Sequence, residues 1–296
     1  MSSVDPHWPP PAAGQHRPHK VAYVFAIVMP LVLLLAIAAP LAVTWGIGRL
    51  RSPDRAADAP AASSADEGQP GVGDPYFLDY GSSGYDAVSY AISIKWDADD
   101  QTMTSTTVMS ARAKQRLNAF WFDLALTTDR VSVNGQPASF AKSGFQDVQV
   151  TPAEPIAAGT DFQVSVDYSG APGRIKRGKT SAWWTTGSEW TAAGEPESSA
   201  WWFPANDHPS DPALMDVMVQ VPADMEAISV GRLESVSRGR VQSDKTGEEA
   251  NVDTWHWVSR QPMATYLNFV SIGQYELDRG MVDGRPYVYA VSEQLS

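Results

Sequence analysis

The sequence contains no cysteine and only five histidines in 296 residues. Without cysteine there is no disulfide framework and no thiolate site for zinc. The histidines are His7, His16, His19, His208 and His256. None is followed by glutamate, and none has a second histidine four residues on. The helical arrangement in which two imidazoles at i and i+4 face one metal, with an adjacent carboxylate to activate its water, is therefore excluded. No catalytic residue, metal ligand or cofactor is expected in this chain. Positive charge is scarce as well. With 22 Lys and Arg against 34 Asp and Glu, the formal net charge of -12 argues against a nucleic-acid partner, and an anionic membrane surface would repel the soluble part.

Charge of either sign is missing from Val21 to Gly48, about 28 positions where a helix needs roughly 20 to cross a bilayer. Pro30 and Pro40 fall inside this run, and prolines are tolerated in membrane helices where neighbouring groups re-satisfy the backbone. The polar lead before Lys20 is long, the apolar run exceeds that of a signal peptide, and no small-x-small site closes it cleanly, so a retained single-pass anchor is expected over 20–50. Arg17 and Lys20 precede the span and Arg49, Arg51 and Arg55 follow it, a difference too small to orient it. Residues 1–19, rich in Pro, His and Ser, read as a disordered tail, and 51–73, dominated by Ala, Pro, Ser, Asp and Gly, as a flexible linker. Folding is expected from about Tyr85, within a β domain over 74–296.

That domain is written in period two. Tyr90, Ile92, Ile94 and Trp96 fall on one face of a strand, as do Phe162, Val164, Val166 and Tyr168, and Met215, Val217, Val219 and Val221. Asn134-Gly135, between Val131-Ser132-Val133 and Ala138-Ser139-Phe140, is a strong hairpin signal because both turn residues tolerate positive φ. Asp283-Gly284 repeats it. The more continuous apolar segment Tyr266 to Leu277 reads as a strand covered on both faces. Long helical periodicity is missing after the anchor, so the fold class is mostly β and mostly antiparallel.

Several short stretches carry a specific resemblance. They are Gly73-Asp74-Pro75-Tyr76, Gly84-Tyr85-Asp86, Glu195-Pro196, Phe203-Pro204-Ala205-Asn206-Asp207-His208-Pro209 and Pro262-Met263-Ala264-Thr265-Tyr266-Leu267. Together they resemble the N-terminal, saddle-like β-sandwich domain of the aminopeptidase N family of zinc metallopeptidases, the gluzincins, and the opening resembles the secreted actinobacterial branch. The resemblance implies that Glu195 reaches into a catalytic cleft and binds the free α-amine of a peptide, that zinc belongs to a catalytic domain absent from this chain, and that the β domain is extracytoplasmic, tethered to the cell membrane through Val21–Gly48. A carboxylate near a desolvated ammonium supplies a charge-assisted hydrogen bond that a blocked N-terminus cannot make. The tail Gly284-Arg285-Pro286-Tyr287-Val288-Tyr289-Ala290 resembles the last β segment before that catalytic domain. Three positions depart from the family pattern: Ala193 where Gln is common, Ala200 where Arg is typical, and Pro212 in place of Lys.

Asp207 and His208 read as a loop motif in which Asp caps a turn rather than as metal ligands. His256, between Trp255 and Trp257, reads as a strand residue. Tryptophan is abundant at 11 residues, and Trp183-Trp184, Trp190 and Trp201-Trp202 flank Glu195. Packing that holds the Glu195 loop against a sheet is the favoured reading of these rings. The alternative is a non-enzymatic, membrane-tethered envelope protein whose β domain binds a peptide, glycan or protein partner.

Overall fold

A computed structural model of the chain describes residues 66–78, 80–195, 197–242 and 247–295. The expected tail, the anchor over 20–50 and most of the linker lie outside the described residues. Among the described residues no helix is long and apolar enough to cross a membrane. Residues 66–73, at the end of the expected linker, bond to the β domain: Gly68 N donates to Ala119 O and Gly71 N to Gly81 O.

The chain is built from β1 (Tyr85–Asp97), β2 (Thr102–Ala113), β3 (Phe120–Asp123), β4 (Thr127–Val133), β5 (Gln136–Pro137) and β6 (Ser139–Ser143). There follow β7 (Asp147–Thr151), β8 (Asp161–Gly170), β9 (Trp183–Thr186), β10 (Glu189–Ala193), β11 (Ala213–Pro222) and β12 (Glu226–Ser229). The last are β13 (Arg232–Gln242), β14 (Glu249–Met263), β15 (Phe269–Gly273), β16 (Tyr275–Val282) and β17 (Arg285–Ser292). An eight-stranded sheet runs in the order β13-β14-β11-β1-β2-β8-β4-β5. A four-stranded sheet, β12-β15-β10-β9, a three-stranded sheet, β3-β7-β6, and the β16-β17 hairpin complete the fold.

The three alternating runs expected from sequence are β1, β8 and β11, and their apolar sets are all buried. Side chains at i and i+2 share a face, so one face of the large sheet becomes continuous core. On it Trp96 packs 5.1 Å from Trp183 and 5.3 Å from Trp190, which bring in the four-stranded sheet. Tyr85, Phe120 and Phe162 do the same for the three-stranded sheet, with ring centroids 5.5 to 5.9 Å apart and the planes steeply inclined. Most pairings are antiparallel, but β1 and β11 lie parallel at the centre of the large sheet.

Three local expectations are refined. Asn134 and Gly135 have φ of 51° and 77°, as the hairpin signal requires, but β4 returns through the short β5. The Ser139–Phe140 segment instead begins β6, which pairs with β7 in another sheet. The apolar run from Tyr266 to Leu277 is divided: Thr265–Leu267 is a 3-10 turn, Phe269–Gly273 is a strand inside the four-stranded sheet, and Tyr275–Leu277 open β16.

Candidate functional site

Glu195 lies one residue beyond Gly194, which follows β10, and precedes the 3-10 turn Ser199–Trp201. Ser198 N donates to Gly194 O at 2.8 Å and closes a tight turn, on which Glu195 is exposed. A Cβ at position 194 would sit 2.8 Å from Ser199 Oγ and 2.9 Å from Ser199 N, so only glycine allows this close approach. From Ser198 the chain enters the core. Ala200, Trp201, Trp202 and Phe203 are buried, and Trp201 Nε1 donates to Gln146 Oε1 at 3.2 Å. The packing reading of the tryptophans fits Trp183, Trp190, Trp201 and Trp202. Trp184 differs, being 49% exposed.

Beneath the turn lies a buried polar latch formed by the Asn206-Asp207-His208 segment. Asp207 accepts the backbone N–H of Ala200 at 3.1 Å with one oxygen and the hydroxyl of Thr265 at 2.7 Å with the other. It thereby joins two of the stretches that carry the sequence resemblance and fixes the segment bearing Glu195. Asn206 accepts from Ser82 N and donates to Asp211, which also accepts from Ala87 N. Asp123 Oδ2 accepts from Gly81 N at 2.9 Å and Asp207 N at 3.2 Å. Gly81 has φ of +70°, and a Cβ there would meet His208 Cβ at 2.7 Å, so glycine is required at this crossing.

Burial raises the pKa of Asp123 well above the usual carboxylate value, and the charge of Asp207 adds to it. Asp207 and Asp211 are raised by burial too, although hydrogen bonds from Thr265, Ala200, Ala87 and Asn206 oppose the shift. Ser210 N–H donates to His208 Nδ1 at 3.2 Å, and His208 Nε2 lies 3.6 Å from an Asp74 oxygen. Asp74 is held below the usual carboxylate value by the backbone N–H groups of Tyr76 and Phe77. His256, on β14, has Nε2 2.8 Å from Asp216 on β11.

Among the described residues no three His, Cys, Asp or Glu side chains are grouped to hold a metal, and the structure does not bring His208 together with His256. The acids beneath the turn accept from backbone donors, the Asn206 amide and the Thr265 hydroxyl, and so tie the surrounding segments together.

Beside the turn the structure adds residues that local sequence gave no signal for. A cavity of about 360 Å³ is lined by Tyr76, Leu78, Tyr80, Arg177 and Glu197 among others. Arg177 Nη1 lies 3.4 Å from the Tyr80 hydroxyl. The phenol is pushed up to about 12, first by burial and then by the charge of Glu197. A separate cavity of about 730 Å³ lies between β13, β14 and β16 and does not include Glu195.

No protein-family model matches the sequence, and no curated protein matches it by sequence. Solved structures do. The M1 zinc metallopeptidase of Deinococcus radiodurans matches with a TM-score of 0.61 at 24% identity, covering 71% of this chain and 47% of that one. A glutamate-to-alanine variant from the same organism, bound to a Tyr-Ser-Ala substrate, matches with a TM-score of 0.62 at 23% identity, covering 74% of this chain and 50% of that one. A two-domain M1 zinc metallopeptidase variant bound to L-arginine gives 0.63 and 23%, with the same coverage. The chain therefore spans about half the length of the solved structures it resembles, and what it shares with these M1 zinc metallopeptidases, the aminopeptidase N family, is their fold.

Proposed function

We propose that this chain is the N-terminal substrate-recognition domain of a membrane-anchored aminopeptidase N-like zinc metallopeptidase, with Glu195 as its contact to the free α-amine of a peptide. The observation that carries the reading is the construction of the turn. Glu195 is exposed on the turn while the segment from Ser198 to Phe203 is buried and Ala200 is held by Asp207, so its carboxylate is presented beside a fixed segment of the core. An exposed carboxylate carried beside a fixed segment suits recognition of an ammonium group through a charge-assisted hydrogen bond. Zinc and the hydrolytic step belong to a catalytic domain outside this chain. The likeness of the opening residues to the secreted actinobacterial branch, together with Val21–Gly48, supports a single-pass tether to the cell membrane with the β domain extracytoplasmic. Protease added to spheroplasts is expected to remove the β domain.

The full chain alone is expected to bind no stoichiometric zinc and to leave peptides such as Tyr-Ser-Ala intact. One tightly held zinc per chain, or chelator-sensitive hydrolysis, would overturn the division of labour.

One observation favours the non-enzymatic alternative. Exposed Trp184 borders a cavity of about 540 Å³ whose walls also carry Gln101, Arg174, Lys176 and Lys179, a combination suited to a polar ligand such as a glycan. Glycan binding by the full chain that Trp184→Ala abolishes, with no dependence on Glu195, would establish that reading.

A further inference from the structure

The chain is acidic overall, yet Arg174, Lys176, Arg177 and Lys179 fall within six residues, and no Asp or Glu lies between Asp167 and Glu189. A run of like charge is commonly a solvated loop, but here the fold ties it down. Pro172–Arg174 is a 3-10 turn leaving β8, and Ile175 packs against the core. Arg177 and Thr180 exchange backbone hydrogen bonds at 3.2 and 3.1 Å around Gly178, whose φ is +64°. Arg177 then turns to the Tyr80 hydroxyl, on the side of the Glu195 turn. Arg174, Lys176 and Lys179 border the cavity of about 540 Å³ on the other side. All three are exposed, and among the described residues none of them forms an ion pair. Like charges held together and left without counter-charges repel one another, and an anion in the cavity relieves that repulsion.

The rest of the cavity says what kind of anion. β9 is an edge strand of the four-stranded sheet, with Trp183 turned into the core and Trp184 49% exposed. A half-exposed indole offers a flat apolar face, the surface on which a sugar ring stacks. Gln101, Ser181 and Thr185 add neutral donors and acceptors, and Asp99 and Asp100, from the turn between β1 and β2, add acceptors for hydroxyl protons. We propose that this cavity is a binding site for an acidic glycan, with the ring on Trp184 and the anionic group on Arg174, Lys176 and Lys179. The proposal rests on the glycan reading of the cavity and adds the charge of the ligand. Glu195 takes no part in it, so the site stands whether or not the turn reads a peptide amine.

Calorimetric titration of the full chain in a neutral detergent tests this, with trigalacturonate and with its methyl ester, which keeps the rings and loses the charge. Trigalacturonate is expected to bind with a Kd of about 10 μM to 1 mM and the ester at least about tenfold more weakly, the worth of one charge-assisted hydrogen bond. Because the cations are exposed, raising salt from about 50 to 500 mM should weaken the acid several-fold and leave the ester unchanged. Lys176→Gln combined with Lys179→Gln should bring the acid to the affinity of the ester without altering the circular dichroism, since both side chains are exposed and unpaired. Trp184→Ala should weaken both ligands. Equal binding of acid and ester would overturn the assignment of charge and leave a neutral glycan in the cavity, whereas binding of neither would overturn the glycan reading as well. Inorganic phosphate that displaces trigalacturonate at equal concentration would reduce the cavity to a simple anion site. Heat that answers only to micelles doped with an anionic phospholipid would give the loop to a membrane, and either of these results overturns the proposal.

Discussion

Replacing Asp207 with alanine removes both acceptors that hold the Glu195 segment. Ala200 and Thr265 are buried, with Ala200 N–H and Thr265 Oγ 3.1 and 2.7 Å from the carboxylate. Each buried donor left unpaired costs about 1–3 kcal/mol, so Asp207→Ala should destabilise the fold by about 2–5 kcal/mol. For a domain of roughly 150–250 residues that corresponds to a fall in Tm of about 5–15 °C. Asp207→Asn keeps one acceptor oxygen and relieves the charge repulsion with Asp123, so it should cost less, about 1–2 kcal/mol. Urea denaturation followed by tryptophan emission reads both variants, since Trp201 and Trp202 are buried beside the site. An alanine variant within about 0.5 kcal/mol of the parent, or an asparagine variant worse than alanine, would refute the latch.

Gly194→Ala should cost about 1–3 kcal/mol, because its Cβ would meet Ser199 N and Oγ at under 3 Å; an unchanged Tm would show that the turn yields freely. The pH dependence of stability follows from the buried acids. Asp123, Asp207 and Asp211 have folded pKa values raised above unfolded values near about 4, so the stability each contributes is complete below about pH 4 and is lost as pH rises through the folded value. Asp74 and Glu234 are shifted downward, and their opposing contribution is lost only below that window. Tm should therefore rise as pH is lowered from about 8 to about 5, and a monotonic fall over that range contradicts the assignment.

The strands legible in the sequence are those whose pattern is local. Tyr90, Ile92, Ile94 and Trp96 alternate because one face of β1 is core, and Asn134-Gly135 and Asp283-Gly284 mark turns because few residue pairs accept positive φ twice. The parallel pairing of β1 with β11 left no such mark, since partners more than a hundred residues apart in the chain are chosen by the whole sheet. The run from Tyr266 misled because apolar density alone does not separate a strand from a packed 3-10 turn. At the site, Glu195 stood out through its resemblance, while its supports did not. Asp207 reaches Thr265 across 58 residues and Asp123 across 84, and Arg177 and Glu197 meet at Tyr80 only in the folded chain. Their residue types are ordinary, and only tertiary structure makes them a group.

The most direct test of the central claim joins this chain to the second domain of a two-domain M1 zinc metallopeptidase and measures Glu195→Ala in the product. For peptides with a free N-terminus, kcat/KM should fall about 10- to 150-fold, the worth of one charge-assisted hydrogen bond, while turnover of N-acetylated peptides and the Tm stay near those of the parent. Equal kinetics on both kinds of substrate, with a large drop in Tm, would show that Glu195 is a structural residue and that the amine is read elsewhere.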